Sequence, residues 1–523
     1  MILLKNVSKS FGGKVVLKAV NLIISKKGHI ALVGKNGSGK STLLKIAAGL
    51  LKPDDGKVEN PQGLRIVYFP QEIPKKDQKQ TGEEFFSSCL SINADRLDGE
   101  MGSLFKKLQF APEKLKQKIE DLSGGEKNKI LLMLIIKSPA DIFLLDEPTN
   151  NLDLRGLVVL EEFIDSSRKG FFIVSHDRKI LDRFVESVVE MNDQTNTVEI
   201  YQDHSYSEYL HECTMKEKQK LEAYNNYQKE RKRLEETVLL KKQEAKKIQK
   251  GSKKPRDKDK FIAGFKKDRS KKIASQASNI EKRLKRIEKI NHPRQPLPLN
   301  LRFDLVERSG DIVFRLEKVK ANYNNFSVGP IDLEIHYGDR IVILGPNGEG
   351  KTTLLKLLMG KIRPNSGSSY IGSRVNIGYL PQEVHFDYEE KILDWFLKNT
   401  QTDETNVRRI LARFGFLREE VYAKIGKVSP GQRSRLILAS LMAHGINCLI
   451  LDEPSNHLDI EALNRLEKAL KTFPGTIIMV SHDRYLIDQI GITKTYLIEK
   501  GRINTLLDYH EYQTRILGRG EEI

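Results

Sequence analysis

The sequence has few of the features that mark a secreted or membrane-embedded protein. It contains three cysteines in 523 residues, Cys89, Cys213 and Cys448, whose spacing fits neither a disulfide framework nor a metal site. The longest apolar run, ILLMLII at positions 130–136, is far shorter than the ~20 residues that a membrane-spanning helix needs. The N-terminal stretch MILLKNVSKSFGG has no apolar core of signal-peptide length. We therefore expect a cytoplasmic protein without a membrane domain.

Positive charge is concentrated in the middle of the chain. The formal net charge is +18, and the segment from His211 to Ile290 holds 27 Lys and Arg against 12 Asp and Glu. Within it, residues 241–272 hold fifteen basic residues and four acidic ones. The other 443 residues carry a net charge of only +3. This distribution predicts a polyanionic partner, such as a nucleic acid or an acidic membrane surface, that binds mainly to the middle segment.

Four motifs occur twice in the same order. The first two pairs are 311 residues apart and the last two are 306 residues apart, so the copies differ by a five-residue deletion between the second and third motifs. The pairs are GKNGSGKST (34–42) and GPNGEGKTT (345–353), YFPQE (68–72) and YLPQE (379–383), LLDEPTNNLD (144–153) and ILDEPSNHLD (450–459), and VSHDR (174–178) and VSHDR (480–484).

The repeat predicts the domain organisation. In each copy, apolar runs such as HIALVG and RIVILG alternate with amphipathic segments of helix length. That alternation is typical of an α/β domain with a largely parallel sheet covered by helices. We predict two tandem P-loop-type α/β domains, at residues 1–203 and 299–523, joined by a long α-helical hairpin at residues 204–298.

The first repeated motif follows an apolar strand and opens a helix, as a phosphate-binding loop does. Glycines let the backbone wrap the phosphates, the helix N-terminus supplies a positive dipole end, and the lysine reaches the β- and γ-phosphates. Ser41 and Thr352 would hold Mg²⁺. The predicted loop residues are Gly34, Lys35, Asn36, Gly37, Ser38, Gly39, Lys40, Ser41 and Thr42 in the first copy, and Gly345, Pro346, Asn347, Gly348, Glu349, Gly350, Lys351, Thr352 and Thr353 in the second.

An acidic pair ends an apolar strand in each copy. Asp146 and Asp452 are placed to assist Mg²⁺, and the adjacent Glu147 and Glu453 are placed to polarise an attacking water. An isolated Asp-Glu pair after a strand is usually an exposed turn. Here the pair follows a phosphate-binding loop in both copies, which favours the catalytic interpretation.

The complete motif set resembles the ATP-binding cassette family of ATPases. Between the glutamine and the acidic pair lie LSGGE (122–126) and its counterpart VSPGQ (428–432), and the resemblance covers essentially everything outside the middle segment. The resemblance implies that the protein binds ATP with Mg²⁺ and hydrolyses it. It also implies that the two cassettes face each other head to tail within a monomer. Each ATP would then lie between the phosphate loop of one cassette and the signature of the other.

The resemblance also implies which residues share a site. One site would combine Lys40, Ser41, Gln71, Glu147 and His176 with Ser429 and Gly431. The other would combine Lys351, Thr352, Gln382, Glu453 and His482 with Ser123, Gly124 and Gly125. Gln71 and Gln382 would assist the metal ion, His176 and His482 would take part in catalysis, and Phe11 and Tyr323 would stack on adenine, unless either aromatic is a plain core residue.

The second signature departs from the family pattern. Pro430 stands where the first signature has Gly124, and proline fixes φ and removes a backbone N–H. The two sites are therefore expected to turn over at different rates, which single Glu147→Gln and Glu453→Gln variants would reveal.

The middle segment has the pattern of a helical hairpin. Residues 206–249 lack proline and have apolar residues three or four apart, and GSKKPRDKD breaks the pattern at Gly251 and Pro255. A second helix follows, with a heptad at Ile273, Ala277, Ile280, Leu284 and Ile287, and it ends before Pro293. A charged spacer is the alternative, but basic residues exceed acidic ones twofold. The candidate RNA contacts at its tip are Lys250, Lys253, Lys254, Arg256, Lys258 and Lys260.

Two cassettes with a long charged helical linker resemble the ABC-F subfamily. That resemblance implies binding to the ribosome, through rRNA and tRNA, with the hairpin directed toward peptidyl-tRNA and the peptidyl-transferase centre. It also implies either translation regulation or antibiotic ribosomal protection, and release on ATP hydrolysis. The glutamine-to-signature intervals, 51 and 46 residues, leave no room for an inserted arm in the first cassette and favour the armless members. The alternatives are the ATPase subunit of a transporter and a DNA-structure-binding ATPase.

Overall fold

The computed structural model describes residues 1–516 except positions 36, 91–96, 151, 176, 193–194, 251–259, 287–306, 324–325, 383, 385, 401, 444, 457 and 459. The chain divides into two compact units. One is formed by Met1–Ser207 together with Leu299–Ile523 and contains both copies of the repeat, and the other is Glu208–Pro298. Among the described residues, no helix combines the length and the apolar character needed to span a bilayer.

The first copy contains two sheets. A six-stranded sheet has the order β5-β6-β7-β3-β8-β9, in which all neighbours are parallel except the antiparallel pair β8–β9. A three-stranded antiparallel sheet has the order β2-β1-β4. The strands are β1 (Ile2–Phe11), β2 (Lys14–Ile24), β3 (His29–Val33), β4 (Asp55–Glu59), β5 (Ile66–Phe69), β6 (Ile142–Asp146), β7 (Gly170–Val174), β8 (Ser187–Asn192) and β9 (Thr197–Tyr201).

The helices of the first copy follow its strands in alternation. Helix α4 begins with a capping box, since the Ser123 side chain accepts from the Glu126 N–H and the Glu126 carboxylate accepts from the Ser123 N–H. The signature motif is therefore also a helix start signal. The helices are α1 (Lys40–Ala47), α2 (Gly82–Leu90), α3 (Leu97–Leu108), α4 (Gly124–Lys137), α5 (Leu154–Ser166) and α6 (Arg178–Phe184).

The middle segment forms two antiparallel helices, α7 (Tyr206–Lys250) and α8 (Lys260–Arg286). The Ser270 hydroxyl donates to the Ala245 carbonyl at 3.0 Å, and Arg283 lies 3.4 Å from Glu230, so the pairing runs in opposite directions along the two helices. The predicted long helical hairpin is confirmed.

The hairpin's predicted heptad is only partly covered by the structure. Ala277 is buried, and Ile273, Ile280 and Leu284 are half-buried, as the heptad predicts. The heptad position Ile287, the predicted break at Gly251 and Pro255, and Pro293 lie outside the described residues.

The second copy repeats both sheets. Its six-stranded sheet has the order β14-β15-β16-β12-β17-β18, and its antiparallel sheet has the order β11-β10-β13. The strands are β10 (Ile312–Tyr323), β11 (Phe326–His336), β12 (Arg340–Leu344), β13 (Ser366–Ile371), β14 (Ile377–Leu380), β15 (Cys448–Asp452), β16 (Thr476–Val480), β17 (Lys494–Glu499) and β18 (Arg502–Leu506). The helices are α9 (Lys351–Leu358), α10 (Ile392–Thr400), α11 (Glu404–Arg413), α12 (Pro430–Ala443), α13 (Ile460–Lys471), α14 (Arg484–Ile490) and α15 (Tyr509–Ile516).

The predicted fold class, two tandem α/β domains with largely parallel sheets, is confirmed. The antiparallel three-stranded sheets were not predicted. In the first copy, Gly12 and Gly13 join β1 to β2 with φ values of 54° and 80°. Left-handed φ at two consecutive residues is typical of a two-residue hairpin turn, so the Gly-Gly pair was the available signal.

The buried side chains connect the two copies. One apolar cluster includes Leu145 and Phe171 of the first copy together with Leu449 and Leu451 of the second. A separate cluster within the first copy joins α1, through Leu44, to both of its sheets. The start of α1, where the phosphate loop ends, is therefore held by apolar packing.

A buried ion pair supports the start of α5. Lys129 Nζ lies 3.1 Å from Asp153 Oδ2, both side chains are almost fully buried, and the other Asp153 oxygen accepts from the Gly156 N–H. Since asparagine also caps helices well, we expect Asp153→Asn to keep the cap and remove only the charge. The substitution should lower the free energy of unfolding by about 3–5 kcal/mol because Lys129 stays buried without a counter-charge.

The measurement is urea unfolding of the full chain, with Asp165→Asn as the control. Asp165 pairs with Arg183 at 3.4 Å and its side chain is 62% exposed. Exposed pairs contribute about 0–1 kcal/mol, so the control should unfold close to the parent chain. Equal stability of the two variants would contradict a structural contribution from the buried pair.

Candidate nucleotide sites

The first phosphate loop joins β3 to α1. Gly39 caps α1 with φ 105°, and Gly37 has φ 81°, so the loop uses backbone conformations that side chains disfavour. Lys40 Nζ donates to the Gly34 carbonyl at 2.7 Å and to the Lys35 carbonyl at 3.1 Å. The lysine therefore lies folded over the loop that it follows in sequence. The loop's Asn36 lies outside the described residues.

The second phosphate loop has the same geometry. Gly350 caps α9 with φ 96°, and Lys351 Nζ donates to the Gly345 and Pro346 carbonyls at 2.6 and 3.0 Å. Burial lowers the pKa of the Lys351 ammonium. A buried ammonium beside a glycine-rich loop and the N-terminus of a helix is suited to a multiply charged phosphate.

The oxygen atoms beside the two loops fit Mg²⁺. Thr352 Oγ1 donates to Asp452 Oδ2 at 2.8 Å, and the Tyr68 hydroxyl donates to Asp146 Oδ2 at 3.0 Å. Burial raises the pKa of the Asp452 carboxyl. Hydroxyl and carboxylate oxygens are the ligands that Mg²⁺ prefers, and the ion usually keeps several waters and binds phosphate oxygens as well. Thr352 and Asp452 would hold it in the second copy, and Ser41 and Asp146 in the first.

The two predicted catalytic glutamates share an unusual backbone conformation. Glu147 has φ 52° and Glu453 has φ 50°, in the left-handed region that non-glycine residues rarely adopt. Their N–H groups donate to the Val174 and Val480 carbonyls at 2.9 and 2.8 Å, which holds the conformation in both copies. Such strain costs about 1–3 kcal/mol and is concentrated at functional sites.

His482 lies against Glu453 in the second copy. The backbone N–H of His482 donates to Glu453 Oε2 at 3.3 Å. The ring Nε2 of His482 lies 3.4 Å from Glu453 Oε1 and 3.3 Å from Lys351 Nζ. Burial raises the pKa of Glu453 to about 7, and burial together with Lys351 lowers the pKa of His482 to about 3. The histidine is therefore neutral at this position. Its counterpart His176 lies outside the described residues.

One cavity brings the second phosphate loop and the first signature together. It has a volume of about 560 Å³. A Cβ atom added at Gly125 would lie 2.7 Å from Asn347 Nδ2, so the signature and the opposite loop are in close contact. The predicted residues around this cavity are Asn347, Gly348, Gly350, Lys351, Thr352, Thr353, Gln382, Asp452, Glu453 and His482 of the second copy with Ser123, Gly124 and Gly125 of the first.

The other cavity has a different lining. It has a volume of about 390 Å³ and is lined by Lys40, Ser41, Gln71, Asp146 and Glu147, among others. The second copy contributes Ser455 and Leu458, and Ser429 is not among the described residues that line it.

The second signature begins its helix as the first one does. The Ser429 hydroxyl accepts from the Gln432 N–H at 3.2 Å, the Gln432 side chain accepts from the Ser429 N–H at 2.9 Å, and Gly431 lies in the first turn of α12. Pro430 occupies the first helical position, where a missing N–H breaks no helical hydrogen bond. The proline is therefore compatible with the helix. The structure shows a different inequality between the two sites. Among the described residues, the first signature lines a cavity together with the opposite phosphate loop, whereas Ser429 of the second signature does not.

Of the two predicted adenine-stacking aromatics, only Phe11 has a described side chain, and the stacking of both stays a prediction. Phe11 ends β1, is 49% exposed and does not belong to the described lining of either cavity. Lys9 Nζ lies 5.7 Å from its ring centroid. Tyr323 ends β10, and its side chain lies outside the described residues.

Comparison with known proteins identifies the family of this chain. The family model described as "ABC transporter" matches residues 17–150 and 328–456, slightly more than half of the chain. A "Putative ATP-binding protein YdiF" of Bacillus subtilis is 30% identical, with 97% of this chain and 81% of the relative covered. An "ABC transporter F family member 5" of Arabidopsis thaliana is 28% identical, with 97% and 76% covered. The chain belongs to the ABC-F family.

The ABC-F chain also resembles solved structures that contain paired cassettes. An archaeal ribosome recycling factor, aABCE1, solved with the stalk protein aP1, superposes with a TM-score of 0.62 over 98% of this chain and 92% of that one. The identity is 20%, so this likeness shows the fold alone. With its two cassettes, the ABC-F chain hydrolyses ATP and uses Mg²⁺ with the nucleotide.

The structure adds residues that the motif analysis of this ABC-F chain did not name. Thr149 and Asn150 of the first cassette line the cavity at the second phosphate loop. Ser455 and Leu458, from the corresponding motif of the second cassette, line the cavity at the first phosphate loop. These residues follow the acidic pair inside the repeated motifs LLDEPTNNLD and ILDEPSNHLD. Their recurrence in both copies was the available signal.

Proposed function

We propose that this ABC-F ATPase acts on the ribosome and that its basic hairpin contacts ribosomal or transfer RNA. The observation that carries the proposal is the hairpin itself, whose segment 211–290 has a net charge of +15 within a chain of net charge +18. Phosphate contacts by Lys and Arg supply affinity without sequence readout, which suits RNA of defined shape. The fold shared with the archaeal ribosome recycling factor supports the same class of partner.

The described part of the hairpin already presents a basic surface. Around the contact between Ser270 and Ala245, five basic side chains are exposed, and we name them the hairpin basic cluster. The cluster consists of Lys246, Lys247, Arg269, Lys271 and Lys272. Helices α7 and α8 continue from this cluster toward the candidate RNA contacts at the hairpin tip. Of these, Lys253, Lys254, Arg256 and Lys258 lie outside the described residues, as do the side chains of Lys250 and Lys260 at the helix ends.

The proposed cycle links nucleotide state to ribosome binding. ATP binds between each phosphate loop and the opposite signature, and this stabilises the docked cassettes, in which the hairpin is presented to the ribosome. Glu147 and Glu453 orient and polarise the attacking water, while Lys40 and Lys351 contact the transferred phosphoryl group. Mg²⁺ would supply charge neutralisation on the phosphate oxygens. Hydrolysis removes the γ-phosphate contact with the signature, so the cassettes separate and the protein is released.

Charge reversal in the hairpin basic cluster tests this proposal. We expect Lys246→Glu, Lys247→Glu, Lys271→Glu and Lys272→Glu together to weaken ribosome binding and to reduce the dependence of log K on log salt concentration by about three to four, roughly one per lost phosphate contact. The measurement is co-sedimentation with purified ribosomes at several salt concentrations. ATP turnover without ribosomes should be unchanged.

A control with equal charge change separates local from global effects. Lys75, Lys76, Lys79 and Lys116 are exposed on the first cassette, and their replacement by Glu should leave ribosome binding close to that of the parent chain. If both quadruple variants lose binding equally, the hairpin is not the contact. Retention in the membrane fraction, or tight binding to branched DNA with no ribosome association, would favour the transporter or DNA alternatives instead.

A further inference from the structure

Two buried arginines connect the cassettes. Arg178 and Arg484 each follow a VSHD sequence, begin α6 and α14 respectively, and are 6% and 5% exposed. Arg178 Nη1 lies 3.2 Å from Glu467 Oε2 of the second cassette. Arg484 Nη2 forms an ion pair with Glu161 Oε1 of the first. Each arginine therefore reaches across to a glutamate of the opposite copy.

The two ion pairs are reciprocal. Arg178 and Arg484 are 306 residues apart, and so are Glu161 and Glu467. Exchanging the two copies therefore converts one pair into the other. The glutamates lie at equivalent places on α5 and α13, the helices that follow the acidic-pair motifs. Such a reciprocal arrangement arises when two copies of one module dock head to tail and use the same contact twice.

Each ion pair adjoins a nucleotide site. Arg484 is two residues after His482, whose N–H donates to the Glu453 carboxylate and whose Nε2 lies 3.3 Å from Lys351 Nζ. The glutamate partner of Arg484 belongs to the same stretch of the first cassette as Thr149, which lines that cavity. One stretch of the first cassette thus contacts the second site in two places.

The same arrangement occurs at the first site. Ser455 and Leu458 of the second cassette line the Lys40 cavity, and Glu467, further along that stretch, pairs with Arg178. Arg178 is two residues after His176 in the sequence. Both sites are therefore bounded by a stretch of the opposite cassette that ends in a buried glutamate.

The charges around the pairs make them sensitive to docking. Arg484 also lies 3.5 Å from Asp177 Oδ2, and Glu161 also lies 3.3 Å from Arg183 Nη1. The Arg178 guanidinium lies 4.7 Å from the Tyr485 ring centroid, again in the opposite cassette. A buried charge is strongly destabilised when its partner is removed, so these contacts favour the docked arrangement of the cassettes.

We propose that Arg178 and Arg484 are positioning residues for ATP hydrolysis, each holding the VSHDR segment of its own cassette, which carries the predicted catalytic histidine, through an ion pair with the opposite cassette. Docking of the cassettes would then do more than enclose the nucleotide. It would also fix the histidine segment, which in the second site contacts the water-polarising Glu453 through His482. The inference rests on the proposed composite sites and needs no ribosome.

The test compares two Glu→Gln substitutions that lie outside the proposed catalytic groups. Glu467→Gln removes the carboxylate that pairs with Arg178, and Glu161→Gln removes the one that pairs with Arg484, which retains Asp177 at 3.5 Å. We expect kcat to fall by about tenfold, a loss of about 1.4 kcal/mol of transition-state stabilisation, with KM for ATP changed less than about twofold. Glu162→Gln is the matched control, because Glu162 neighbours Glu161 and forms an exposed pair with Lys107 at 2.9 Å.

A charge swap tests whether the contact itself is required. Arg178→Glu combined with Glu467→Arg should restore kcat to within about threefold of the parent chain, whereas either substitution alone should not. The swap is made at this pair because Arg183 lies beside Glu161 and would repel an introduced arginine. Thermal unfolding of every variant reports whether lost activity follows lost stability.

Several outcomes would overturn the inference. These are turnover of Glu467→Gln equal to that of Glu162→Gln, a rise in KM that accounts for the loss, or a swapped chain that folds and remains inactive. ATP turnover is measured without ribosomes, so a failure of ribosome binding leaves this result unaffected. Unchanged ATP turnover in the Gly125→Val variant would contradict the composite sites. Unchanged ATP turnover in the Glu467→Gln variant would contradict only the positioning role of the arginines, so the two failures can be distinguished.

Discussion

Replacing both water-polarising glutamates, Glu147→Gln with Glu453→Gln, should reduce ATP turnover by about 10³-fold, within the range that a positioned general base contributes. Glutamine has the same shape as glutamate and can keep the left-handed backbone at positions 147 and 453, but it cannot accept a proton from water. ATP should therefore bind and hold the cassettes docked without being hydrolysed. We expect the variant to sediment with ribosomes in ATP and to remain in the supernatant in ADP.

The control for this variant is Glu162→Gln, whose exposed side chain pairs with Lys107 and lines neither nucleotide cavity among the described residues. It should hydrolyse ATP and sediment like the parent chain. If the double variant loses turnover but stays in the supernatant with ATP, the proposed ribosomal function is wrong although the catalytic assignment stands. If turnover persists, the catalytic assignment itself is wrong.

The second large effect is expected at Gly125. A valine there would meet Asn347 of the opposite phosphate loop, since even a Cβ atom would lie 2.7 Å from Asn347 Nδ2 and 3.2 Å from its Cβ. In a Glu147→Gln chain, the remaining turnover comes from the Lys351 site. We expect Gly125→Val in that chain to lower turnover by about 100-fold, the cost of displacing reacting groups by roughly 1 Å. Single-turnover ATP hydrolysis measures it.

Two comparisons make this prediction specific. In a Glu453→Gln chain, where the remaining turnover comes from the Lys40 site, Gly125→Val should change turnover by less than about twofold, because separated sites behave independently. Gly102→Val is the matched control, because a Cβ at Gly102 in α3 has no neighbour within 4 Å among the described atoms. Equal losses in both chains would indicate general misfolding and would contradict the assignment of Gly125 to one site.

Local sequence patterns predicted much of the fold. The strand that ends at Val33 and the helix that begins at Lys40 are specified by an apolar run, a glycine-rich loop and a helix start, all within about twenty residues. The capping pattern of Ser123 and Glu126 likewise spans only four residues. Such elements are predictable because their physical causes lie next to one another in the chain.

Other features were missed because their causes lie far apart in the chain. The three-stranded antiparallel sheet pairs β1 with β4, whose partners Leu4 and Val58 are separated by more than fifty residues. Phe11 ends β1 with its ring exposed, and its stacking on adenine stays a prediction. Spacing along the chain does not specify the direction of a side chain at the end of a twisted strand.

The sequence by itself determined that the chain contains two ATP-binding cassettes, a basic helical hairpin and a repeated set of phosphate-binding and acidic motifs. Each of these depends on residue types at short, regular spacings. The tertiary structure decided which signature meets which loop, and it revealed the reciprocal pairs Arg178–Glu467 and Arg484–Glu161. Those contacts join residues about 300 positions apart, and only docking of the two cassettes brings opposite charges together in a buried interface.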